Sequence, residues 1–178
     1  MAVLQPGARV GAFAVTRLMS AGGMGMLYEA LDPALGRRVV IKTVRPELTQ
    51  DPRARERFRQ EGRWAAQLLD RRLPRVLEHG RLPDGSPFMV MEFLEGEDLA
   101  ARLAWGPLDP RVAAGIMREV LEVLGKVHRL GIVHGDVKPQ NIFLARAGGG
   151  AEVPTLLDFG AARVAGPRAA ARPGEALG

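Results

Sequence analysis

The apolar pattern changes period about halfway along the chain. Before that point, short runs of β-branched and aromatic residues are broken by glycine and proline: ARVGAFAVTRLM from Ala8, GMLYEALDP from Gly25 and RRVVIKTV from Arg37. Branched and aromatic side chains suit a pleated surface, so these runs predict three consecutive antiparallel strands. One helix then interrupts the strands. Asp51 can cap it, Pro52 suits its first position, and an apolar stripe of Phe58, Ala65, Leu68 and Leu69 keeps helical spacing through Leu69. RVLEHGRLPDGSPFMVMEFLEG predicts two further strands about a Pro-Asp-Gly-Ser turn.

In the second half the period is helical. Asp109 and Pro110 open a long helix in which Val112, Ile116, Met117, Val120, Leu121, Leu124 and Val127 recur at three- and four-residue spacing, and Gly131 can close it. Two short strand-like pieces follow, NIFLA and PTLLD, separated by RAGGGAEV. From Ala161 onward no periodic pattern remains, which predicts an irregular tail. Strands with one inserted helix, followed by mostly helix, imply an α+β fold of two lobes.

Composition narrows the function classes. The 178 residues are 47% hydrophobic, enough for a sizeable core. There is no Cys, which removes disulfides, thiolate metal sites and Cys nucleophiles together. The net charge of +5 invites a nucleic-acid reading, yet the arginines are dispersed and aromatics are only 5%, too few for a base-stacking platform. No apolar run approaches the roughly 18 residues of a membrane span, and the N-terminus lacks a secretory apolar core. A soluble, cytoplasmic protein with no nucleic-acid partner and no membrane segment in this chain is the expectation.

Against this background a few residues stand out. SAGGMG, Ser20 to Gly25, lies between two predicted strands, and a backbone with few Cβ atoms can point N–H groups at phosphates. It is not a P-loop, since no Gly-Lys-Ser/Thr and no helix follow. Lys42 sits inside an apolar strand with Val40 and Val44 on its side, and Glu61 falls on the stripe of Phe58 and Ala65. An inward ammonium and an inward carboxylate each need a partner, and are natural partners for one another. HGDVKPQN, His134 to Asn141, holds the chain's single Asn and one of its three lysines. Asp136, Lys138, Asn141 and the more distant Asp158 combine hard oxygen donors suited to Mg²⁺ with a carboxylate free to take a proton. A Gly-rich loop, an inward Lys–Glu pair, an Asp–Lys–Asn loop and a distal Asp are the parts phosphoryl transfer requires.

In this order the motifs resemble the eukaryotic-type (Hanks-type) Ser/Thr protein kinases of bacteria. The matching segments are LMSAGGMGMLYEA, VVIK, Glu61, FMVMEFLEGEDL, IVHGDVKPQNIFL and LLDFGAAR, and the resemblance as a whole covers roughly Ala8 to Arg163. The resemblance implies a protein-kinase-like domain over 8–163: a complete small lobe to about residue 94, with a five-stranded antiparallel sheet and one helix, then a partial helical large lobe. Residues 164–178 would be an irregular tail. It implies that Gly22, Gly23, Met24 and Gly25 cover the phosphates of ATP and that Lys42, held by Glu61, contacts them. Asp158 and Asn141 would hold Mg²⁺, Asp136 would accept the substrate hydroxyl proton, and Lys138 would neutralise the γ-phosphate. Backbone groups of Glu92 and Leu94 would bind adenine behind Met91, with Leu18, Leu27, Val40 and Phe143 enclosing the ring.

Several positions depart from the family pattern. Gly135 replaces the Arg usual between the His and the Asp, and no Ser, Thr or Tyr follows Asp158, so activation by phosphorylation there is not expected. Ser20 replaces the first Gly of the loop, and Val40 stands where Ala is usual. A complete kinase domain would continue for roughly a hundred residues, so the resemblance implies a truncated catalytic domain with an exposed apolar side on the helix opened by Asp109. The implied function is ATP- and Mg²⁺-dependent phosphorylation of protein Ser or Thr, with a protein substrate or regulatory protein as partner. The alternatives are an ATP-binding regulatory module without transfer, a remnant without function, and a small-molecule kinase of the aminoglycoside or choline type.

Overall fold

The computed structural model describes residues 3–22 and 25–164. Its small lobe is a six-stranded antiparallel sheet built from β1 (Arg9–Val10), β2 (Phe13–Ala21), β3 (Gly25–Asp32), β4 (Arg37–Val44), β5 (Val76–Arg81) and β6 (Pro87–Glu92), in the order β1-β2-β3-β4-β6-β5. The sheet thus has one strand more than the five expected. The first apolar run does not form one strand, because Gly11 takes φ +58 and turns the chain, so that Arg9–Val10 folds back against Phe13–Ala14. One face of the sheet closes over Tyr28, Ile41, Val39, Val90 and Phe88.

Helix α1 (Pro52–Gln67) crosses the other face. Asp51 caps it as expected, accepting from the Arg53 amide, with Pro52 at the first position. The helix ends at Gln67, two residues short of the expected Leu69: Leu68 is its buried C-cap, Leu69 is 87% exposed, and Trp64, not counted in the expected stripe, is buried. Trp64 and Leu68 do not join the small-lobe core. They pack in the large-lobe cluster with Leu73, Val120, Leu156 and Phe159, so the end of α1 is anchored across the lobe boundary.

The large lobe begins with β7 (Gly96–Asp98) and the short α2 (Leu99–Ala104), neither of which was visible as a periodic pattern. Helix α3 (Pro110–Arg129) follows, capped by Asp109 through the Arg111 amide and closed by Gly131 at φ +71. Of its apolar positions, Ile116, Val120, Val123 and Val127 are buried, whereas Val112, Met117 and Leu121 are exposed, the uncovered apolar side expected of this helix. Next come β8 (Ile132–Val133), β9 (Ile142–Arg146), β10 (Glu152–Leu156) and β11 (Arg163–Val164). β10 starts two residues before the PTLLD segment. β11 pairs with β8, so the irregular reading from Ala161 does not hold for Arg163 and Val164. Residues 165–178 lie outside the described residues. β7, β9 and β10 form a three-stranded sheet that carries the following loop towards β4.

Candidate active site

A cavity of about 540 Å³ lies between the lobes, lined from the small lobe by Gly22, Gly25, Leu27, Val40, Lys42 and Glu61, and from the large lobe by Asp136, Lys138, Asn141, Phe143 and Asp158. Met91, Glu92 and Leu94 line the connection between them. Thus nearly all the residues singled out in the sequence meet at one place. Leu18 does not line the cavity; Met19 does. The reason is a bulge between Leu18 and Ser20, which shifts the β2–β3 register so that Leu18 sits opposite Tyr28 and Ser20 opposite Leu27. Gly23 and Met24 lie outside the described residues. On either side of them the Gly22 amide donates to Gly25 O at 2.9 Å.

Lys42 is the electrostatic centre of the cavity. Its Nζ donates to Glu61 Oε1 at 2.5 Å and to Asp158 Oδ1 at 2.8 Å, with only 12% of the side chain exposed. Glu61 reaches it because α1 places residues 58, 61 and 65 on one side, facing β4 and β6. Burial alone would drive the Lys42 ammonium towards neutrality, but the two carboxylates outweigh it and hold its pKa above the ordinary lysine value. Burial pushes the Glu61 carboxyl up, against the pull of Lys42. These two tendencies oppose one another, and with bonds this short the ionised pair is the state the geometry supports. Burial also works against the Asp158 charge, but Lys42 and the Gly160 amide offset it and leave that carboxyl below its ordinary value.

Asp158 is also the single non-glycine among the described residues with positive φ, at 60°. An Asp tolerates this conformation when its carboxylate bonds locally, and the Gly160 amide donates to Oδ1 at 3.1 Å. The adjoining Phe159 is buried edge-on against His134, with ring centroids 4.8 Å apart. His134 contacts Leu157 O through Nε2 at 3.0 Å, and the Asp136 amide donates to its Nδ1 at 3.3 Å. Burial keeps this imidazole below its ordinary pKa, and hence neutral. It links the segment carrying Asp158 to the loop carrying Asp136.

Between them, Gly135 takes φ +81, and a Cβ there would stand 2.8 Å from Ala161 O. A glycine at this position lets the loop turn sharply while Ala161 packs against its backbone. Asp136 Oδ2 then accepts from Lys138 Nζ at 2.7 Å and from Asn141 Nδ2 at 2.9 Å. The Lys138 bond, with Asn141 adding to it, holds Asp136 below its ordinary pKa. Asn141 also donates to Asp136 O at 2.8 Å and accepts the Leu157 amide on its backbone oxygen. Its donors are therefore spent on Asp136, which leaves the side-chain oxygen without a partner among the described residues.

Two further features bear on ligand binding. The Glu92 amide is taken by Arg75 O at 3.0 Å and the Glu92 side chain by the Arg75 amide at 2.8 Å. Neither the amide nor the carbonyl of Leu94 has a partner among the described residues, although Leu94 lines the cavity. The sequence reading missed Arg57 and Phe58 as lining residues. Arg57 lies one turn before Glu61 on α1, and that four-residue spacing was the available signal.

The comparisons agree with this geometry. The protein kinase domain family matches residues 13–173. The chain is 38% identical over 160 residues to the serine/threonine-protein kinase pkn2 of Myxococcus xanthus, covering 90% of this chain and 19% of that protein. It is 33% identical over 178 residues to the serine/threonine-protein kinase PknD of Mycobacterium tuberculosis, covering 99% and 26%. Among solved structures, the M. tuberculosis PknI kinase domain superposes with a TM-score of 0.74 at 26% identity, over 89% of this chain and 62% of that one. The chain thus spans a fifth to a quarter of the length of these curated relatives. With a family match over most of its length and a cavity assembled from the same ordered motifs, the chain belongs to the protein kinase domain family.

Proposed function

We propose that the chain is the catalytic portion of an ATP- and Mg²⁺-dependent protein serine/threonine kinase, transferring the γ-phosphoryl group of ATP to a protein Ser or Thr hydroxyl. The observation that carries this reading is Lys42 bonded at once to Glu61 and Asp158, across a cavity whose far wall holds Asp136, Lys138 and Asn141. The cavity volume falls within the range that encloses a small ligand.

Each residue has a distinct task. The free amide and carbonyl of Leu94, with the Glu92 carbonyl, offer the donor and acceptor edge that adenine needs; Leu27, Val40, Met91 and Phe143 supply the apolar walls. Gly22 and Gly25 keep side chains away from the phosphates. Lys42, fixed by Glu61, presents its remaining donor capacity to them. Among the described residues no group of three or more His, Cys, Asp or Glu side chains could hold a metal ion. That suits Mg²⁺, which takes one or two protein oxygens and completes its shell with phosphates and water. Asp158 and the free oxygen of Asn141 are the donors that would hold it, and when bound it neutralises charge on the transferring group. Asp136, kept ionised by Lys138, orients the substrate hydroxyl and accepts its proton, and Lys138 stands beside it as the cation facing the γ-phosphate. Because Gly135 carries no side chain to clamp a phosphate, the site does not require phosphorylation near Asp158 to assemble.

The test is a thermal melt with and without Mg·ATP, followed by transfer from labelled ATP to protein acceptors. We expect Mg·ATP to raise the melting temperature, Asp158→Asn to abolish the rise, and Asp136→Asn to keep it while transfer drops by about 10²–10⁴. Binding without any transfer would make the chain a regulatory module. Transfer to amino alcohols or aminoglycosides but not to proteins would assign it to small-molecule kinases. No cooperative transition would leave only a remnant.

A further inference from the structure

The turn joining α1 to β5 holds an ionic cluster outside the cavity. Arg72 is 7% exposed at the lobe boundary. Its Nε and Nη2 donate to the two oxygens of Asp70 at 2.9 and 3.1 Å, and its Nη1 donates to Glu122 Oε2 on α3 at 2.6 Å. Asp70 in turn accepts from Lys126, also on α3, at 2.5 Å. The Arg72 carbonyl accepts the Leu156 amide of β10 at 2.8 Å, two residues before Asp158. Three residues on, Arg75 exchanges bonds with Glu92 of β6. One short turn therefore contacts the helix that carries Glu61, the strand that delivers Asp158, and the connection between the lobes.

We propose that Arg72 is a positioning residue that fixes the register between the small-lobe Lys42–Glu61 pair and the large-lobe Asp158, so that the nucleotide site is assembled before nucleotide arrives. Leu68 and Leu73 already anchor the turn in the large-lobe cluster, but apolar contacts tolerate sliding. A guanidinium bound two-pronged to Asp70 and end-on to Glu122 does not, because its donors have fixed directions. The backbone bond from Leu156 carries that constraint directly to the segment ending in Asp158, and α1 carries it to Glu61.

The inference rests on the nucleotide-site reading above, and its test separates the two. Arg72→Met and Arg72→Lys are compared with wild type and with Arg102→Met. Arg102 bonds Glu97 and Glu152 wholly within the large lobe and serves as the control for loss of an ionic cluster alone. Hydrogen exchange is followed without nucleotide, and Mg·ATP affinity is measured by calorimetry well below every melting temperature. Arg72→Met is expected to speed exchange jointly in the second half of α1 and in 156–160. Affinity should weaken roughly tenfold, the loss expected if the assembled site falls to about a tenth of molecules. Arg72→Lys should recover part of both, and Arg102→Met should change neither. A lower melting temperature in Arg72→Met with unchanged affinity and exchange confined to the turn overturns the proposal. If that variant does not fold, Glu122→Gln, which keeps the Arg72–Asp70 pair, must still speed exchange at 156–160; no change there overturns it equally. If wild type itself fails to bind Mg·ATP, the proposed function falls, and the exchange experiment still decides whether Arg72 couples the lobes.

Discussion

Replacing Lys42 by Met leaves Glu61 and Asp158 facing one another without their shared cation. Both carboxylates bond the same nitrogen, so their oxygens are no farther apart than those two bonds laid end to end, about 5 Å. At an effective dielectric of about 20, two unit charges at that separation repel by about 3 kcal/mol. Asp158 is half exposed, which screens part of this, but the lost bonds of a buried pair add to the cost. A destabilisation of about 3 kcal/mol at pH 7 follows, a fall of about 6–12 °C in melting temperature for a domain of this size. Glu61→Gln should cost only about 1 kcal/mol, because Lys42 keeps Asp158 as its partner. The pH dependence identifies the cause. Burial already raises the Glu61 pKa, and removing Lys42 removes the group opposing that rise. A carboxyl with a raised folded pKa binds more protons in the folded state, so stability is retained at low pH and lost as pH rises through that value. The Lys42→Met deficit should therefore be small near pH 5 and grow towards pH 8, read from melts across that range. A deficit independent of pH, or a Glu61→Gln variant as unstable as Lys42→Met, would refute the reasoning.

Two further predictions concern other parts of the molecule. His134 is buried and held below its ordinary pKa of 6.5, so the unfolded chain binds its proton more readily. Wild type should lose stability as pH falls below about 6.5, and His134→Asn should flatten that limb of the melting profile while leaving the acid loss below about 3.8, where Asp70 and Asp158 titrate, in place. Gly96 and Gly36 both have positive φ, but a Cβ at Gly96 would stand 2.1 Å from Leu144 O and at Gly36 would meet nothing within 4 Å. Gly36→Ala should cost about 1–2 kcal/mol from backbone conformation alone, whereas Gly96→Ala should cost distinctly more in a denaturant titration because β7 must part from β9.

The larger elements were legible because burial imposes periodicity on them. RRVVIKTV corresponds to β4 residue for residue, and the long helix runs from Pro110 with its cap where Asp109 placed it. What periodicity could not decide was which apolar positions find a partner. Met117 and Leu121 continue the spacing of Ile116 and Val120 but sit farther around the helix, away from the large-lobe cluster. β7, β8 and β11 are two or three residues long, too short to show alternation. Leu18 enters the cavity only through the family resemblance, and the register shift between Leu18 and Ser20, a local irregularity that no sequence pattern signals, puts Met19 and Ser20 there instead.

The site itself was legible for a different reason, which also explains why Arg72 was not. A charge placed inside an apolar pattern is costly unless paired, so Lys42 in a strand and Glu61 on a helix stripe declare both their own importance and the need for each other. Lys138 and Asn141 stand out because the composition otherwise avoids Lys and Asn. Arg72 carries neither signal. It is one arginine among many, in a turn beside an Asp, where a solvated surface pair is the ordinary outcome. Its burial arises only because α1, α3 and β10 converge on that turn, from residues 47 and 50 positions away on α3 and further still on β10. The residues proposed for the chemistry can be read from where they violate local pattern. A residue that aligns them obeys local pattern and becomes visible only when distant elements meet.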